Sequence, residues 1–220
     1  MIRSKIIKNL NLKKIKYLPI NISKFFLSFP KILLRLFFNF DTWHISSFAH
    51  REYAKAIVKY ANQRDSKNSV VEVGCGLGDI IRRLNYEKKT GLDNDRKVLK
   101  AAKFISKFFD SSRTDFQEYN FLEPKGLEGV HDVILIINFA HAFNSEILKE
   151  KVEEIFKNNL SETGEIILDV IEDKSLKNYK NFHSIEYLTS SLSSDIFKIG
   201  EFGSSRCIYS ISRNFNKSQG

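Results

Sequence analysis

The chain contains 220 residues, 42% of them hydrophobic and 28% charged, which fits one globular domain with an appendage and excludes a disordered or fibrous protein. Its two cysteines exclude a disulfide scaffold. The chain has 35 basic and 26 acidic residues, and its first 40 positions contain nine basic residues and no acidic ones. The rest of the chain is therefore electrically balanced, and the net charge of +9 comes from this first segment. Such a distribution favours contact with an anionic surface and argues against a nucleic-acid partner.

Residues 1–40 are interpreted as a basic, helical N-terminal arm, distinct from a domain at 41–220. A helix is predicted after Pro30, with Lys31, Arg35 and Asn39 on a narrow polar stripe and apolar residues around the rest. These charges exclude a membrane span and a signal peptide, because both need an uninterrupted apolar stretch. Such a helix can lie in a membrane interface, or it can dock on the domain and cover its active site. Both interpretations remain open, alone or together.

From residue 41 onward, short apolar strands alternate with amphipathic helices, which predicts an α/β protein with a doubly wound, mainly parallel sheet. Two final segments of alternating polarity, joined by a Gly-Ser-Ser turn, predict a hairpin, so at least one terminal strand runs antiparallel. The predicted strands are 70–73, 88–92, 114–119, 132–137, 165–170, 195–202 and 206–213, with a turn at 163–164. The predicted helices are 46–62, 78–86, 95–109, 145–159 and 183–192.

The first strand ends in a glycine turn that predicts a ligand site. Gly74, Gly76 and Gly78 stand at every second position, so the backbone can pass very close to a ligand. The dinucleotide-binding motif has a different spacing, G-x-G-x-x-G. Glu72 would repel a pyrophosphate and suits a cationic ligand, which argues against a nicotinamide dehydrogenase. Cys75 is interpreted as a small apolar spacer in the turn.

A carboxylate also ends the second strand. Asp93 stands nineteen residues after Gly74, at the place where doubly wound folds bind ribose hydroxyls. The alternative is that Asp93 caps the following helix. Asp95 is the better cap, because the helix is predicted to start there, and this leaves Asp93 available for a ligand.

The chain resembles the class I S-adenosylmethionine-dependent methyltransferases over residues 70–213. The matching segments are VVEVGCGLG, GLDND, HDVILIINFAH and TGEIILDV. The resemblance implies a Rossmann-like sheet of seven strands in the order 3-2-1-4-5-7-6, with a reversed seventh strand. It also implies S-adenosyl-L-methionine as cofactor. The cofactor residues it implies are Glu72, Gly74, Cys75, Gly76, Gly78, Asp93, Asn94, Asn120, Phe121 and Asn138.

The pair expected to contact adenine has two candidates, Asn120-Phe121 and Asp115-Phe116. The family pattern has an Asp followed by an apolar residue. We prefer Asn120, because it ends the alternation of the predicted third strand and its side-chain oxygen can accept a hydrogen bond from the adenine amino group.

The base for a hydroxyl acceptor is expected near the end of the fourth strand. Methyl transfer from a sulfonium gains much of its rate from proximity, and a hydroxyl acceptor also benefits from a general base. His141 is the predicted base; the alternative is a helix-start residue that only borders the pocket. No metal is expected, and His50, His131 and His183 are assigned to surface or boundary positions.

The segment Phe40-Asp41-Thr42-Trp43-His44 resembles segments that precede this fold in bacterial methyltransferases linked to cell-surface polysaccharides. Trp43 can stack on a sugar face with His44 as a hydrogen-bond partner. The alternative is that Trp43 fixes the arm to the core and His44 caps a helix. Arg51 and Tyr53 are candidates for contact with the cofactor carboxylate or the acceptor.

The function expected from the sequence is methylation of a small-molecule or glycan-type acceptor, at oxygen, in surface polysaccharide biosynthesis. The alternatives are a noncatalytic module that recruits partners or a membrane through its basic arm, and a methyltransferase of a lipid or quinone. A cytoplasmic location is expected, with peripheral contact to the inner face of an anionic membrane.

Overall fold

The computed structural model describes residues 20–110, 113–124, 126–176, 179–203 and 206–214, with side chains from residue 29 onward. In this part of the chain, seven strands form one sheet of order β3-β2-β1-β4-β5-β7-β6. Strands β1 to β5 are parallel, and β7 is antiparallel to both neighbours. The predicted architecture, including the terminal hairpin, is confirmed. The strands are β1 (Ser69–Val73), β2 (Lys88–Asp93), β3 (Asp115–Glu118), β4 (His131–Ile136), β5 (Leu160–Ile171), β6 (Ser194–Phe202) and β7 (Arg206–Arg213).

Alternate residues of the central strands point to opposite faces, so the sheet has an apolar cluster on each side. The helices are α1 (Ile20–Phe38), α2 (Glu52–Asn62), α3 (Arg96–Phe109), α4 (Ser145–Asn158) and α5 (Ile185–Thr189). Helices α4 and α5 cover one face of the sheet, and α2 and α3 cover the other. Because β1 and β4 are covered on both sides, they are short apolar runs.

Several predicted boundaries are wrong for local reasons. The predicted helix 46–62 is divided into the 3₁₀ turn Phe48–His50 and helix α2, and a further 3₁₀ turn, Thr42–Ile45, precedes it. The predicted helix 78–86 is reduced to the 3₁₀ turn Ile81–Arg83, because the Ile81 amide donates to the Glu72 carboxyl at 3.0 Å instead of to a helical carbonyl.

Two further boundaries differ near the C-terminal half of the sheet. The predicted turn at 163–164 lies inside β5, where a register shift opposite His131 and Val133 accommodates the extra residues. The predicted helix 183–192 is only the five-residue α5.

Helix α1 begins ten residues before Pro30, so its predicted start is wrong. Two residues of the predicted polar stripe are held by hydrogen bonds: the Lys31 ammonium contacts Asp79 of the domain, and Arg35 Nε donates to the carbonyl of the buried Phe40 at 3.1 Å. The third, Asn39, is exposed and lies just beyond the end of the helix. Residues 29–38 therefore dock on the domain, which agrees with the interpretation of a docked helix. The other predictions for residues 1–19 lie outside the described residues, and the boundary at residue 40 stays a prediction. Among the described helices, none is long and apolar enough to cross a membrane.

Candidate functional site

The glycine turn connects β1 to the carboxyl end of β2 through backbone and side-chain hydrogen bonds. The Cys75 amide donates to the Leu92 carbonyl at 2.9 Å, and the Gly76 amide donates to Asp93 Oδ2 at 2.8 Å. The other oxygen of Asp93 accepts the Asp95 amide at 3.0 Å. Asp95 caps α3, so the capping alternative for Asp93 is wrong. Asp93 instead holds the turn against β2.

Two aromatic rings lie over the turn where glycines replace side chains. A Cβ atom on Gly74 would lie 2.6 Å from Phe139 Cδ2, and one on Gly76 would lie 2.7 Å from His44 Nδ1. Both glycines have positive φ, 71° and 54°, which other residues adopt only with strain. The turn therefore requires glycine for its conformation and for the approach of these rings.

Glu72 is the buried acid of the site. Its side chain is 3% exposed, and one oxygen accepts the Ile81 amide. Burial raises the pKa of Glu72 to about 8, although the Ile81 N–H and the charge of Arg51 act in the opposite direction. A carboxyl that is protonated at neutral pH in this way is poised to ionise when a cation enters.

Two small cavities flank the turn. One measures about 80 Å³ and the other about 90 Å³; both are lined by Gly74, Asp93, Asn94 and Phe139. Ligand pockets for molecules of drug size measure roughly 300–1,000 Å³. Neither of these two cavities reaches that size, whereas a third cavity of about 760 Å³ is lined by Asn94 and Asn120 as well.

Most of the predicted cofactor and acceptor residues converge on the first cavity. Gly78 does not line it, because a Cβ atom there would face Phe116 Cζ at 2.6 Å. The predicted residues that line this cavity are Trp43, His44, Arg51, Tyr53, Glu72, Gly74, Cys75, Gly76, Asp93, Asn94 and Asn138.

The second cavity contains the preferred adenine pair. Asn120 lies just beyond β3, where its side-chain oxygen accepts the Leu122 amide at 3.1 Å. Phe121 packs against the rings of Phe139 and Phe143, with centroids 5.2 and 5.0 Å away. The alternative pair, Asp115-Phe116, is wrong: Asp115 begins β3 at the opposite end of the strand, and Phe116 is buried in the core.

A charge cluster that the sequence analysis missed fixes α1 beside the turn. Asp79 contacts both the Lys31 ammonium and the Arg51 guanidinium, and Arg82 Nη2 lies 3.3 Å from its other oxygen. Burial raises the pKa of Asp79, but Lys31 and Arg51 outweigh this effect and hold the pKa below its ordinary value. The sequence signal for this charge cluster was Asp79, which directly follows the glycine turn.

Arg51 also supplies an orphaned donor to the site. Its Nε atom is buried and has no hydrogen-bond partner among the described residues. Arg51 lines the first cavity together with Glu72 and Asp93. An unpaired donor beside two acids fits a zwitterion that carries both a carboxylate and an ammonium, as the methionine part of S-adenosylmethionine does.

The Trp43-His44 pair has opposite exposures. Trp43 is 61% exposed, and its indole N–H donates to Asp41 at 3.3 Å. His44 is buried and stacks on the indole with centroids 3.7 Å apart. Trp43 therefore does not fix the arm to the core. His44 lies within a 3₁₀ turn and provides no helix cap, so that alternative is wrong as well.

A second buried ion pair lies at the ends of β4, β5 and β7. The Arg206 guanidinium contacts Asp169 and donates to Asn138 Oδ1 at 2.9 Å and to the Tyr179 hydroxyl at 3.1 Å. It also lies 4.6 Å from the centroid of the Tyr53 ring. Asn138 thus connects this network to the first cavity. Asp169, Tyr179 and Arg206 were not predicted from the sequence, although an Asp in an otherwise apolar strand was a signal.

His141 borders this network and does not line either small cavity. Its ring packs edge-on against Tyr179 at 5.0 Å. Burial, with the charge of Arg206 and His183, lowers the pKa of His141. Asn144 caps α4, so His141 is not a helix-start residue. The imidazole is therefore neutral at neutral pH, the form that a general base requires.

The other histidines occupy varied positions. His50 is exposed and His131 is half-buried. His183 is buried, with Nε2 3.1 Å from the Ala140 carbonyl and Nδ1 3.0 Å from Ser145 Oγ, so its assignment to a surface or boundary position is wrong. Within the described residues, no three His, Cys, Asp or Glu side chains are grouped as metal ligands.

Comparisons with known proteins agree with this architecture. A family model described as "Methyltransferase domain" matches residues 64–203. Magnesium protoporphyrin IX methyltransferase from Synechocystis PCC 6803, solved with bound SAH, has a TM-score of 0.62 and 12% identity over 87% of this chain and 99% of that chain. Ribosomal protein L11 methylase from Lactobacillus delbrueckii subsp. bulgaricus has a TM-score of 0.55 and 20% identity over 72% and 77%.

The N-methyltransferase NodS from Bradyrhizobium japonicum WM9, solved with S-adenosyl-L-homocysteine, has a TM-score of 0.60 and 15% identity over 75% of this chain and 87% of that chain. These identities support a shared fold and no more. The search of curated proteins found no match. Because the family model covers most of the chain and the strand order is the one the resemblance implied, the chain belongs to the methyltransferase domain family.

Proposed function

We propose that this protein transfers a methyl group from S-adenosylmethionine to a hydroxyl of a small-molecule or glycan-type acceptor. The main support is the convergence of Glu72, Asp93 and the orphaned Arg51 donor on one cavity beside the glycine turn. Structural neighbours solved with SAH or SAM support the same cofactor. The sulfonium of S-adenosylmethionine supplies an activated methyl group and a good leaving group.

The residues of this chain have separate roles in the proposed reaction. Glu72 ionises to hold the amino group, Arg51 donates to the carboxylate, and Asp93 accepts from the ribose hydroxyls. Asn120 and Phe121 enclose the adenine. His141 takes the proton of the acceptor hydroxyl at its free ring nitrogen as the oxygen attacks.

The acceptor is proposed to bind between Trp43 and the network around Arg206. Trp43 exposes a broad aromatic surface at the rim of the first cavity, and such surfaces stack on the apolar faces of sugar rings. Tyr179 supplies a further hydroxyl group beside His141, and Tyr53 lies against Arg206 at the edge of the same network. These features favour a glycan acceptor, as in surface polysaccharide synthesis, over a fully apolar one.

Free cysteines at both Cys positions fit a reducing compartment, which supports a cytoplasmic location. If the protein were a noncatalytic module, His141 and the network around Arg206 would have no role. A lipid or quinone acceptor would place its reactive group at the same position beside His141. It would differ from a glycan acceptor only in the part of the molecule that extends away from the site.

The decisive experiment has two steps. Calorimetry with S-adenosylhomocysteine tests the cofactor, and a screen with labelled S-adenosylmethionine over nucleotide sugars, glycolipids and quinones tests the acceptor. Binding of NAD without binding of S-adenosylhomocysteine would overturn the cofactor assignment. Cofactor binding without methylation of any acceptor would favour the noncatalytic alternative.

The role of His141 needs a matched control. We expect His141→Gln to lower kcat by about 10²–10⁴-fold with little change in cofactor affinity. His50→Gln, at an exposed histidine outside the site, should leave kcat unchanged. Equal activity of both variants would remove His141 from the reaction.

A further inference from the structure

We infer that the outer faces of α1 and α3 together form a docking surface for an anionic phospholipid bilayer. The surface differs from the basic arm predicted from the sequence, because half of it belongs to a helix within the body of the domain. The inference depends on exposure and charge and does not require that the protein transfer methyl groups.

The apolar part on α1 points away from the domain. Leu33, Leu36 and Phe37 are exposed, to 42%, 72% and 84%, and recur at a spacing of three or four residues. Leu34 and Phe38, on the other side of the helix, pack into the cluster with Val98 and Ile105. The helix thus has one apolar side that packs against the domain and a second apolar side that is exposed to solvent.

Helix α3 continues the apolar surface. Phe104, Phe108 and Phe109 are 46%, 66% and 77% exposed. The two helices meet where the Phe38 and Phe104 rings lie 5.8 Å apart, and Phe104 in turn contacts Phe108 at 5.3 Å. Exposed large apolar side chains grouped in this way indicate a binding surface, whereas isolated ones do not.

The charge around this surface identifies its occupant. Neither helix contains an acidic residue. Residues 1–19, which precede α1 in the sequence, contain six Lys or Arg and no acid. A second copy of the chain would present the same cations and be repelled, whereas anionic lipid headgroups attract them. The exposed lysines of α3 are Lys97, Lys100, Lys103 and Lys107.

The arrangement also orients the site. Lys31, on the domain side of α1, contacts Asp79 directly after the glycine turn. With α1 on the bilayer, the turn would lie about one helix diameter, ~10 Å, from the headgroups. If the proposed methyl transfer holds, a lipid-linked acceptor would reach the site from this side.

The test measures binding of the full-length protein to vesicles by flotation, without any acceptor. We expect binding to phosphatidylcholine vesicles that contain phosphatidylglycerol and much weaker binding to pure phosphatidylcholine. Phe37→Glu and Phe108→Glu should each weaken binding roughly tenfold or more, because a buried Phe side chain contributes at least that much. Gln at Lys100, Lys103 and Lys107 should weaken it by about fivefold for each lysine near the surface.

Phe197→Glu is the matched control, because Phe197 is 59% exposed but lies on the edge strand β6. It should bind vesicles like the unmodified protein, and all variants should keep the same affinity for S-adenosylhomocysteine. Unchanged vesicle binding by Phe108→Glu would overturn the role of α3. A dimer that Phe37→Glu dissociates, with no vesicle binding by the unmodified protein, would show that a second copy occupies the surface and would overturn the inference.

Discussion

His44 Nδ1 lies 2.7 Å from the position that a Cβ atom would occupy on Gly76. The segment before α2 therefore closes directly over the glycine turn, in contact with the backbone that the cofactor is expected to approach. This relationship separates two requirements at residue 76, the positive φ and the space for the imidazole, and each can be tested.

Gly76→Ala should destabilise the fold. The φ of 54° costs an alanine roughly 1–2 kcal/mol, and the contact with His44 adds to this cost. The double variant His44→Ala/Gly76→Ala should avoid the cost of the contact with His44 and should keep the cost of the positive φ. Thermal unfolding of the single and double variants measures both. Additive losses would mean that the two side chains do not meet.

His44→Ala should also speed the association of S-adenosylhomocysteine. The His44 ring lines a cavity of only about 80 Å³ beside the glycine turn, so we expect side chains of this lining to move as the ligand enters, His44 among them. Stopped-flow fluorescence of Trp43, the single tryptophan of the chain, measures the association rate, with His50→Ala as control, because His50 is exposed and lies outside the site. An unchanged rate for His44→Ala would show that another movement, such as that of Phe139, limits entry.

Glu72 should couple ligand binding to proton release. Its pKa is about 8 in the folded protein, so at pH 7 the carboxyl is mostly protonated, and an entering ammonium group favours the ionised form. Binding of S-adenosylhomocysteine at pH 7 should therefore release a proton, and the affinity should rise toward pH 8. Calorimetry in buffers of different ionisation enthalpy measures the proton, and Glu72→Gln should abolish its release.

The same shift predicts the pH dependence of stability. Between the ordinary value of 4.5 and about 8, the folded protein holds a proton on Glu72 that the unfolded chain has lost. The contribution of Glu72 to the free energy of unfolding must therefore fall as the pH rises through this window. Chemical denaturation at pH 5, 6.5 and 8 should show a smaller decline for Glu72→Gln. Parallel curves would contradict the shift.

Asp93→Ala should impair both stability and cofactor binding. The carboxylate accepts the Gly76 and Asp95 amides, and their loss costs about 1–3 kcal/mol. Asp93→Asn keeps one acceptor oxygen and should fold better, yet still bind S-adenosylhomocysteine less well because the charge is absent. Denaturation and calorimetry on both variants separate the two effects. Normal cofactor binding by folded Asp93→Ala would contradict the proposed ribose contact.

Arg206 should set the protonation of His141. Replacing Arg206 alone leaves the Asp169 carboxylate buried without its partner, a loss of about 3–5 kcal/mol. The double variant Asp169→Asn/Arg206→Gln avoids this and removes a charge that lowers the pKa of His141. Its imidazole pKa, followed by NMR, should rise, and the acidic limb of the activity profile should move to higher pH. An unmoved titration would show that the charge of Arg206 does not contribute to the pKa of His141.

Local pattern predicted the alternation of strands and helices, the terminal hairpin, the glycine turn and the positions of Glu72 and Asp93 near strand ends, whereas the strand order was implied by the family resemblance. These features depend on periodicity along the chain, and the carboxyl ends of adjacent parallel strands must meet at one edge of the sheet. The cap at Asp95 was predictable for the same reason, because a cap bonds only to the next few amides.

The tertiary structure decided what no local pattern contains. Lys31 and Asp79 are 48 residues apart, and Asp169 and Arg206 are 37 apart, so their pairing follows from the docking of α1 and the reversal of β7. Whether the polar stripe of α1 would face the solvent or the domain could not be predicted from the sequence. A lysine side chain can be buried when a carboxylate pairs with it, and only the folded structure brings Asp79 to Lys31. The helix predicted at 78–86 was lost because the buried Glu72 carboxyl took a helical amide that only the folded arrangement brings within reach.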